Sequence, residues 1–515
     1  MAGATATHRY SPKARGLLLV AILLAVVGLV LLVPPLGSPD WLRRPLSDDA
    51  YYYLVIARNA AAGHGVTYDG LPVTGFQPLY LLMCLPIGAL AHWGLLATPA
   101  AITIVNWTLY NVAGAWLVAS LWRRLYPGDS SGVVIAVSLW LLDPSGQRMA
   151  LNGMETTLAL LAWLLVAFIV AKTGPAPRSV GAALIHGSVL GIAFLARNDA
   201  IVLAGTYAAW NLASLVCAPR ASRRQAAVRL AAAGAGFLLL ALPWLIYTWR
   251  VSGFLVPQGG RAESAGGLYD FGRLYQTGAV LAALLRNTVP VPIAFLFQST
   301  ALRLAVGGAL VAALSVSIGL AARRWGRPSR QALGFLAASV GLLAAIYATF
   351  FGAGHMAVRW LAPAVVLGVL IAAELVNDAR RARRDAIRWL AMAGVLAVIA
   401  GRVSSVAIDA RRESPTTTWG LLRAVEQVPG QVKIGSFQSG LLSWARPGVT
   451  NLDGKVNPAV LAALRERRFG AWLAQSDIDL VVDSNLLGLD SDPVLRRAFA
   501  IERRPDGVIV LSRAP

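Results

Sequence analysis

Charged residues are scarce in this 515-residue chain. Only 14% of the residues are Asp, Glu, Lys or Arg, whereas soluble globular proteins carry about 25%. Hydrophobic residues make up 57% of the chain, and many of them form blocks of about 17 residues or more, the length that crosses a bilayer. The composition therefore excludes an ordinary soluble enzyme and predicts a polytopic α-helical membrane protein.

Cysteine and acidic residues are also few. Cys84 and Cys217 are the only two cysteines and lie far apart, which excludes a disulfide framework and a cysteine zinc site. The chain has 25 acidic and 46 basic residues. A nucleic-acid-binding protein would concentrate basic residues on one soluble face. Here they form short clusters between apolar blocks, as in cytoplasmic loops of membrane proteins, so no nucleic-acid partner is predicted.

The hydrophobic blocks predict about 11 transmembrane helices, beginning with a cytoplasmic N-terminus. Span 17–36 follows a basic segment and is not followed by a small-residue cleavage site, so we interpret it as a retained signal anchor. The remaining spans are predicted near 100–121, 131–147, 155–171, 181–196, 199–217, 230–249, 301–321, 331–351, 360–377 and 389–407.

Two further apolar stretches, 79–97 and 279–299, are flanked or interrupted by prolines. If both lie along the outer interface without crossing, nearly every basic cluster between spans becomes cytoplasmic. Arg43 and Arg44 are the exception. This arrangement makes 37–99 and 250–300 external loops and places the C-terminus outside.

The last hundred residues have a different pattern. Segments 432–437, 480–483 and 508–512 are predicted to be short buried strands, and segments near 458–467 and 493–499 are predicted to be helices. Alternating strands and helices indicate a small α/β domain. The predicted organisation is a membrane module over 1–410 and a soluble external domain over 411–515.

Polar residues follow several predicted spans on the external side, where ionisable groups often mark function. Because they share one side of the membrane, we expect them to line one cavity. These residues are Asp48 and Asp49, Asn152 and Glu155, Arg197 and Asp199, and His355 and Arg359.

The acidic pair begins a segment predicted to be a helix that ends at Gly63. Ser47 or one Asp is sufficient to cap that helix, which leaves the second Asp unexplained. We therefore predict that the pair supplies a general base together with an orienting partner or metal ligand.

The other candidates each have two interpretations. Tyr51, Tyr52 and Tyr53 are predicted to be interfacial anchors, with a substrate contact as the alternative. Glu155 either caps a helix or acts in catalysis.

Arginines at 197 and 359 either extend to lipid headgroups or clamp a phosphate, and the clamp is preferred. A structural role is preferred for the lone His64, whereas for His355 both roles stay open.

Several motifs resemble those of a bacterial branch of the GT-C superfamily of membrane glycosyltransferases, which includes protein mannosyltransferases and aminoarabinose transferases. The resemblance covers most of the membrane region. In that branch a histidine is expected where this chain has Gln77. The motifs are DDAYYYLVIARNAAAGHGVTYDG (48–70), TGFQPLY (74–80), NGMET (152–156), ARNDA (196–200), GSFQSGLLSW (435–444) and VTNLDGKVN (449–457).

The resemblance implies transfer of a sugar, with inversion, from a polyprenyl-phosphate donor to a hydroxyl of a glycan, lipid or protein. The reaction would occur on the external face of the bacterial inner membrane. It implies that Asp48 or Asp49 is the base and that Glu155 supports the acceptor. Arg197, Arg359 and His355 would bind the donor phosphate. The expected substrate cavity includes Tyr52, His64, Gln77, Asn152 and Asp199.

No cofactor is required by the sequence, although Asp48 and Asp49 could hold Mg²⁺ or Mn²⁺. A glycolipid flippase or transporter is the rival class, and it predicts ionisable residues at the midplane and on both faces. A lipid-linked glycan ligase or polymerase shares the donor chemistry and also stays open.

The topology can be tested with reporter fusions. Because basic loops mark the cytoplasm, fusions after Ser130 and Gly174 should report cytoplasm, and a fusion after Asp453 should report the outside. An alkaline phosphatase and green fluorescent protein pair provides the readout at each site. A cytoplasmic signal after Asp453 would contradict the arrangement, because the predicted catalytic loops and the C-terminal domain would then lie on opposite sides.

Overall fold

The computed structural model describes residues 46–93, 99–264, 272–288, 326–381, 416–486 and 491–514. Within these ranges a bundle of mostly apolar helices is followed by an α/β domain, residues 416–514, called the C-terminal domain below. The spans predicted at 17–36, 301–321 and 389–407, and the boundary predicted at 410–411, lie outside the described residues.

The membrane character predicted from composition is supported by the length of the helices. In the described part of the chain, five helices are long and apolar enough to cross a membrane, and a sixth span is formed if the pair Gly354–Trp360 and Ala364–Asn377, bent by 55°, counts as one. The full number of 11 stays a prediction. The five helices are Ala101–Leu125, Thr156–Thr173, Asn198–Cys217, Arg220–Ser252 and Pro328–Phe350.

Most predicted spans in the described ranges coincide with helices. The span predicted at 131–147 is wrong as one helix, because it divides into Ser130–Leu141 and Pro144–Leu151. The Asp143 side chain accepts a hydrogen bond from the Gly146 backbone N–H at 2.7 Å, and proline follows it at the first helical position, an arrangement that starts a new helix. The spans predicted at 181–196, 199–217, 331–351 and 360–377 correspond to the α-helices Val180–Ala196, Ile201–Cys217, Arg327–Phe350 and Ala364–Arg381.

The first long helix contains one irregular turn. Segments Pro99–Thr108 and Ala115–Leu125 are joined by a π-helical turn, Leu109–Gly114. The Trp140 indole N–H donates to the Tyr110 carbonyl at 2.9 Å, and the Tyr110 hydroxyl donates to the Trp140 carbonyl at 3.0 Å. Their rings stack 4.5 Å apart, so side chains of a neighbouring helix satisfy and fix the irregular turn in the core.

One end of the bundle carries the segment predicted as the first external loop. Here the acidic-pair helix, Asp48–Ala61, leads into a hairpin of β1 (Thr67–Tyr68) and β2 (Leu71–Pro72), and then into helix Pro78–His92. A 15-residue helix is about 22 Å long, shorter than the ~30 Å hydrocarbon core. That the stretch 79–97 does not cross the membrane stays a prediction, because predicted spans such as Val180–Ala196 also correspond to short helices.

The second predicted external loop contributes two helices within its described parts, Gln258–Ala262 and Arg273–Thr288. Buried Gln276 on the second helix donates to the Tyr347 carbonyl at 3.0 Å. Buried Asn287 donates to the Leu361 carbonyl at 2.9 Å. Of the stretch 279–299, residues up to 288 are described, and there the helix packs against the bundle. That the stretch lies along the outer interface without crossing stays a prediction.

The C-terminal domain contains a mixed sheet of five strands: β3 (Ile434–Ser436), β4 (Thr450–Asn451), β5 (Leu480–Asp483), β6 (Phe499–Arg503) and β7 (Ile509–Arg513). Their order in the sheet is β4-β3-β5-β7-β6. The strands predicted at 432–437, 480–483 and 508–512 are confirmed as β3, β5 and β7, whereas the sequence missed β4 and β6. Both predicted helices are confirmed as Pro458–Arg465 and Pro493–Ala498. The remaining helices of the domain are Thr416–Glu426, Ser439–Ala445 and Phe469–Gln475.

The C-terminal domain packs directly on the first loop. A Cβ added at Gly440 would lie 2.1 Å from the Asp48 carbonyl oxygen, and one added at Gly75 would lie 1.8 Å from the Lys455 carbonyl oxygen. Side chains from both parts, including Tyr52, Tyr68 and Leu441, share one hydrophobic cluster. The bundle end and the C-terminal domain therefore form a continuous packed unit, and the polar residues lie where they meet.

Candidate active site

The two carboxylates of the acidic pair point to different partners. Asp48 accepts hydrogen bonds from the backbone N–H groups of Gly440 at 3.0 Å and Leu441 at 2.9 Å. Asp49 accepts from Arg359 Nη1 at 2.8 Å and Lys455 Nζ at 3.0 Å. Successive residues of a helix project about 100° apart, so one helix presents one acid to the C-terminal domain and the other to a cluster of charges.

Their surroundings move the two pKa values in opposite directions. Burial raises the pKa of Asp48 to about 7, despite the opposing effect of the Leu441 and Gly440 N–H groups. Burial would also raise the pKa of Asp49, but the positive charges of Lys455 and Arg359 outweigh it and hold that pKa below its ordinary value. At neutral pH Asp49 is therefore fully ionised, whereas Asp48 is near its titration midpoint.

Asp49 belongs to a compact group of two acids and two bases, called the four-charge cluster: Asp49, Glu263, Arg359 and Lys455. Glu263 Oε1 lies 3.3 Å from Lys455 Nζ and 3.9 Å from Arg359 Nη2. The side chains are only 7–19% exposed. Each cation thus contacts both carboxylates, and formal charge is balanced within the cluster.

Arg197 is buried beside the four-charge cluster and contacts the backbone of one of its members. It is 4% exposed, and its Nη1 donates to the backbone carbonyl of Arg359 at 2.8 Å. Its Nη2 lies 3.2 Å from Asp199, and its Nε lies 3.8 Å from Glu155. The alternative in which this arginine extends to lipid headgroups is therefore wrong, because its guanidinium is enclosed by protein and holds the backbone of the second predicted phosphate ligand.

Glu155 is linked to two other predicted motifs. It occupies the N-cap position of helix Thr156–Thr173 but makes no capping hydrogen bond, and instead accepts from the Tyr53 hydroxyl at 3.1 Å. That hydroxyl accepts from the Gln77 backbone N–H at 3.1 Å. The Gln77 side-chain oxygen accepts from the Asn198 N–H at 2.9 Å. Gln77 therefore connects the TGFQP and ARN segments.

The prediction that the three consecutive tyrosines anchor the protein at the membrane interface is wrong. Tyr51, Tyr52 and Tyr53 are 1–5% exposed. Tyr52 donates to Asp453 Oδ2 at 3.0 Å and accepts from the Asn451 side chain at 3.1 Å. The C-terminal domain therefore covers Tyr52, whereas Tyr53 is held within the membrane module by Glu155 and Gln77.

The remaining predicted residues lie at different distances from the cluster. His64 is exposed beyond the far end of the acidic-pair helix, about 18 Å along its axis. Asn152 accepts from the Met154 N–H at 2.9 Å and shapes a turn in which Gly153 has φ +74°. Exposed His355 interacts electrostatically with Lys455 and Asp49, so of the two histidines only His355 borders the cluster.

Lys455 and Glu263 are the residues that the sequence analysis missed. Lys455 lies in the motif 449–457, to which the sequence analysis assigned no role. Glu263 is an acid in a predicted external loop and is not part of any recognised motif. Lys455 is 406 residues from Asp49 along the chain, and Glu263 is also distant in sequence from Arg359 and Lys455, so periodicity and spacing give no signal of these contacts.

The acidic pair does not fit the divalent cation that the sequence allowed. The two carboxylates diverge, Asp48 toward backbone N–H groups and Asp49 toward two cations that would repel a metal ion. Across the described ranges there is also no group of three or more His, Cys, Asp or Glu side chains suited to a metal.

Docking of the C-terminal domain should depend on pH. At its contact with the first loop, burial is the main cause that raises the pKa of Asp48 and of Asp69 to about 7 and that of Asp453 to about 6, against an ordinary 3.8. The folded state therefore binds more protons than the unfolded state, and its stability falls as pH rises from about 4 to about 7. The melting temperature should decrease between pH 5 and pH 8, and less steeply for Asp48→Asn. Equal slopes for the two proteins would contradict this assignment.

The sequence matches no protein-family model and no curated protein, but solved structures align along nearly its whole length. ArnT from Cupriavidus metallidurans bound to undecaprenyl phosphate aligns with TM-score 0.58 and 14% identity over 97% of this chain and 98% of ArnT. Its apo state aligns with TM-score 0.55 and 15% identity over 98% of each chain.

The archaeal oligosaccharyltransferase AglB from Archaeoglobus fulgidus, in complex with an inhibitory peptide and a dolichol-phosphate, aligns with TM-score 0.52 and 14% identity over 98% of this chain and 74% of AglB. Similarity at this level of identity establishes the fold. The chain therefore has the GT-C membrane fold, with a C-terminal sheet domain, that the resemblance of its motifs predicted.

Proposed function

We propose that this protein is a membrane glycosyltransferase that moves a sugar from a polyprenyl-phosphate donor to an acceptor hydroxyl. The observation that supports this proposal is the four-charge cluster, in which Asp49 lies 2.8 Å from Arg359 Nη1 and 3.0 Å from Lys455 Nζ. A proton acceptor is thus adjacent to cations suited to an anionic leaving group. The shared fold supports a lipid-phosphate donor, since ArnT was solved with undecaprenyl phosphate and AglB with a dolichol-phosphate.

The proposed reaction is a single displacement. The acceptor oxygen attacks the anomeric carbon, and the bond between that carbon and the phosphate oxygen breaks with its electron pair remaining on the polyprenyl phosphate. The acceptor proton passes to the Asp49 carboxylate. Attack opposite the leaving group inverts the anomeric carbon, and the Arg359 guanidinium stabilises the charge that grows on the phosphate.

The contacts assign different roles to the two neighbouring acids. Both Asp48 oxygens accept backbone N–H groups of the C-terminal domain, so we assign Asp48 to docking and Asp49 to proton transfer. Arg197 acts as a positioning residue through the Arg359 backbone. Glu155, held by Tyr53 and near Arg197, is assigned to the acceptor. We place the site and the C-terminal domain on the external face of the membrane, as the predicted topology requires.

The proposal predicts that the acceptor modification depends on Asp49. Asp49→Asn preserves size and removes the proton acceptor, which should lower transfer about 10²–10⁴-fold. A deletion strain complemented with wild type or variant is analysed by mass spectrometry of its envelope glycans, lipids and proteins. The sugar lost on deletion should return with wild type and with the matched control Asp477→Asn, whose side chain is 74% exposed, but not with Asp49→Asn.

Two results would contradict the proposal. Full complementation by Asp49→Asn would remove Asp49 as the base. An unchanged envelope in the deletion strain, together with movement of glycolipid across vesicles that contain the purified protein, would support the flippase instead.

A further inference from the structure

A lysine of the C-terminal domain reaches into the cluster formed by the membrane module. The Lys455 side chain is 7% exposed, and its ammonium lies 3.0 Å from Asp49 Oδ1 and 3.3 Å from Glu263 Oε1. Asp453 is a third acid, 3.8 Å away. In this group the acids at 49 and 263 and the guanidinium of Arg359 belong to the membrane module, so the cluster is incomplete until the C-terminal domain docks.

The backbone that carries this lysine is fixed on both sides. The Lys455 N–H donates to Asp453 Oδ1 at 2.8 Å, and the intervening Gly454 has φ +77°. The Lys455 carbonyl oxygen presses against Gly75 so closely that a Cβ there would lie 1.8 Å from it. The turn Asp453–Lys455 thus packs against the TGFQP segment and aims the ammonium at the cluster.

A contribution to the stability of the fold does not by itself explain a buried lysine at position 455. Removing two charged groups from water often costs as much as their attraction returns, and well-packed apolar residues can replace buried ion pairs without loss. Lys455 also shares both carboxylates with Arg359: the two cations lie 3.0 and 2.8 Å from Asp49, and 3.3 and 3.9 Å from Glu263. Two cations bridged by the same two acids form an anion site that is filled by the protein's own carboxylates.

We propose that Lys455 is a phosphate-binding residue of the active site, delivered by the C-terminal domain, and that Asp49 and Glu263 hold its ammonium until the donor phosphate takes their place. This inference rests on the proposed function. A polyprenyl-phosphate sugar is a phosphodiester with one negative charge, whereas the polyprenyl phosphate that leaves carries up to two. A second cation beside Arg359 therefore stabilises the departing phosphate more than the bound donor, which is the condition for accelerating the reaction.

The exchange also explains how a strongly paired carboxylate becomes a base. While Arg359 and Lys455 contact Asp49, their charges hold its pKa low and it accepts protons poorly. When the phosphate draws these cations away, burial raises the pKa of Asp49 toward the range in which a carboxylate accepts a proton from the acceptor hydroxyl. Donor binding thus raises the pKa of Asp49 and allows its carboxylate to act as the base.

Binding of undecaprenyl phosphate to the full-length protein in nanodiscs, followed by calorimetry, tests the exchange. Lys455→Gln should weaken affinity at least tenfold, and Lys455→Arg should restore most of it. Lys433→Gln is the matched control, because Lys433 lies in the same domain and pairs with Asp477 but is 59% exposed. Wild-type affinity in folded Lys455→Gln would overturn the proposal.

A second variant leaves Lys455 intact. Glu263→Gln removes one of the carboxylates that compete with phosphate, so affinity for undecaprenyl phosphate should rise several-fold. If Glu263 and Lys455 only hold the domains together, affinity would stay equal or fall, and that result would overturn the proposal even if Lys455→Gln did not fold.

The outcomes separate this inference from the proposed function. A wild-type protein that neither binds undecaprenyl phosphate nor restores the missing sugar in the deletion strain would refute the proposed function. A wild type that does both, with Lys455→Gln indistinguishable from it in affinity, would refute the role of Lys455 alone.

Discussion

The ion pairing of Asp49 with Arg359 and Lys455 is the interaction on which the rest of the site depends. It joins a helix at the start of the membrane module, a bent helix pair late in that module and a turn of the C-terminal domain. Burying a cation is costly unless it is paired with an anion. The charged groups of each of these three parts therefore have their ion-pair partners only when the other two parts are in place. The tight packing at Gly75 and Gly440 and the buried tyrosines of the acidic-pair helix fix this arrangement.

Two consecutive residues of one helix, Asp48 and Asp49, are assigned to docking and to chemistry, respectively. Asp48 and Asp49 are chemically identical, but backbone N–H groups enclose one and cations enclose the other, so their pKa values move apart. Environments that push the pKa values of neighbouring acids in opposite directions commonly distinguish their roles. The second acid, which a helix cap did not explain, is accounted for by this division, and neither carboxylate caps its own helix.

The sequence predicted most of the fold because apolar length and basic loops report directly on membrane helices, and three strands of the C-terminal domain are mostly buried. The sequence-based prediction was wrong at one helix break and missed two strands. The Asp143-Pro144 start signal divides a continuous apolar stretch, and the strands Thr450–Asn451 and Phe499–Arg503 are too short or too exposed to show a pattern.

The candidate site was predicted in part. The acidic pair, Glu155, Arg197, Asp199 and Arg359 come together, as expected from a predicted topology that places all of them on one side of the membrane. Lys455 and Glu263 could not be predicted, since their partners are set by how the C-terminal domain docks and by the course of a long loop. The tyrosines were misassigned because their contacts are long-range: Tyr52 bonds to Asp453 of the C-terminal domain, and Tyr53 bonds to Glu155 of the membrane module.

The central claim is that Asp49 and the donor phosphate compete for Lys455. A double-mutant cycle on the affinity for undecaprenyl phosphate tests it, using wild type, Asp49→Asn, Lys455→Gln and the double variant. Asp49→Asn should strengthen binding when Lys455 is present and have a smaller effect when it is absent, with a coupling energy of about 0.5–3 kcal/mol. Equal effects of Asp49→Asn in both backgrounds would show that the two residues act independently and would contradict the account.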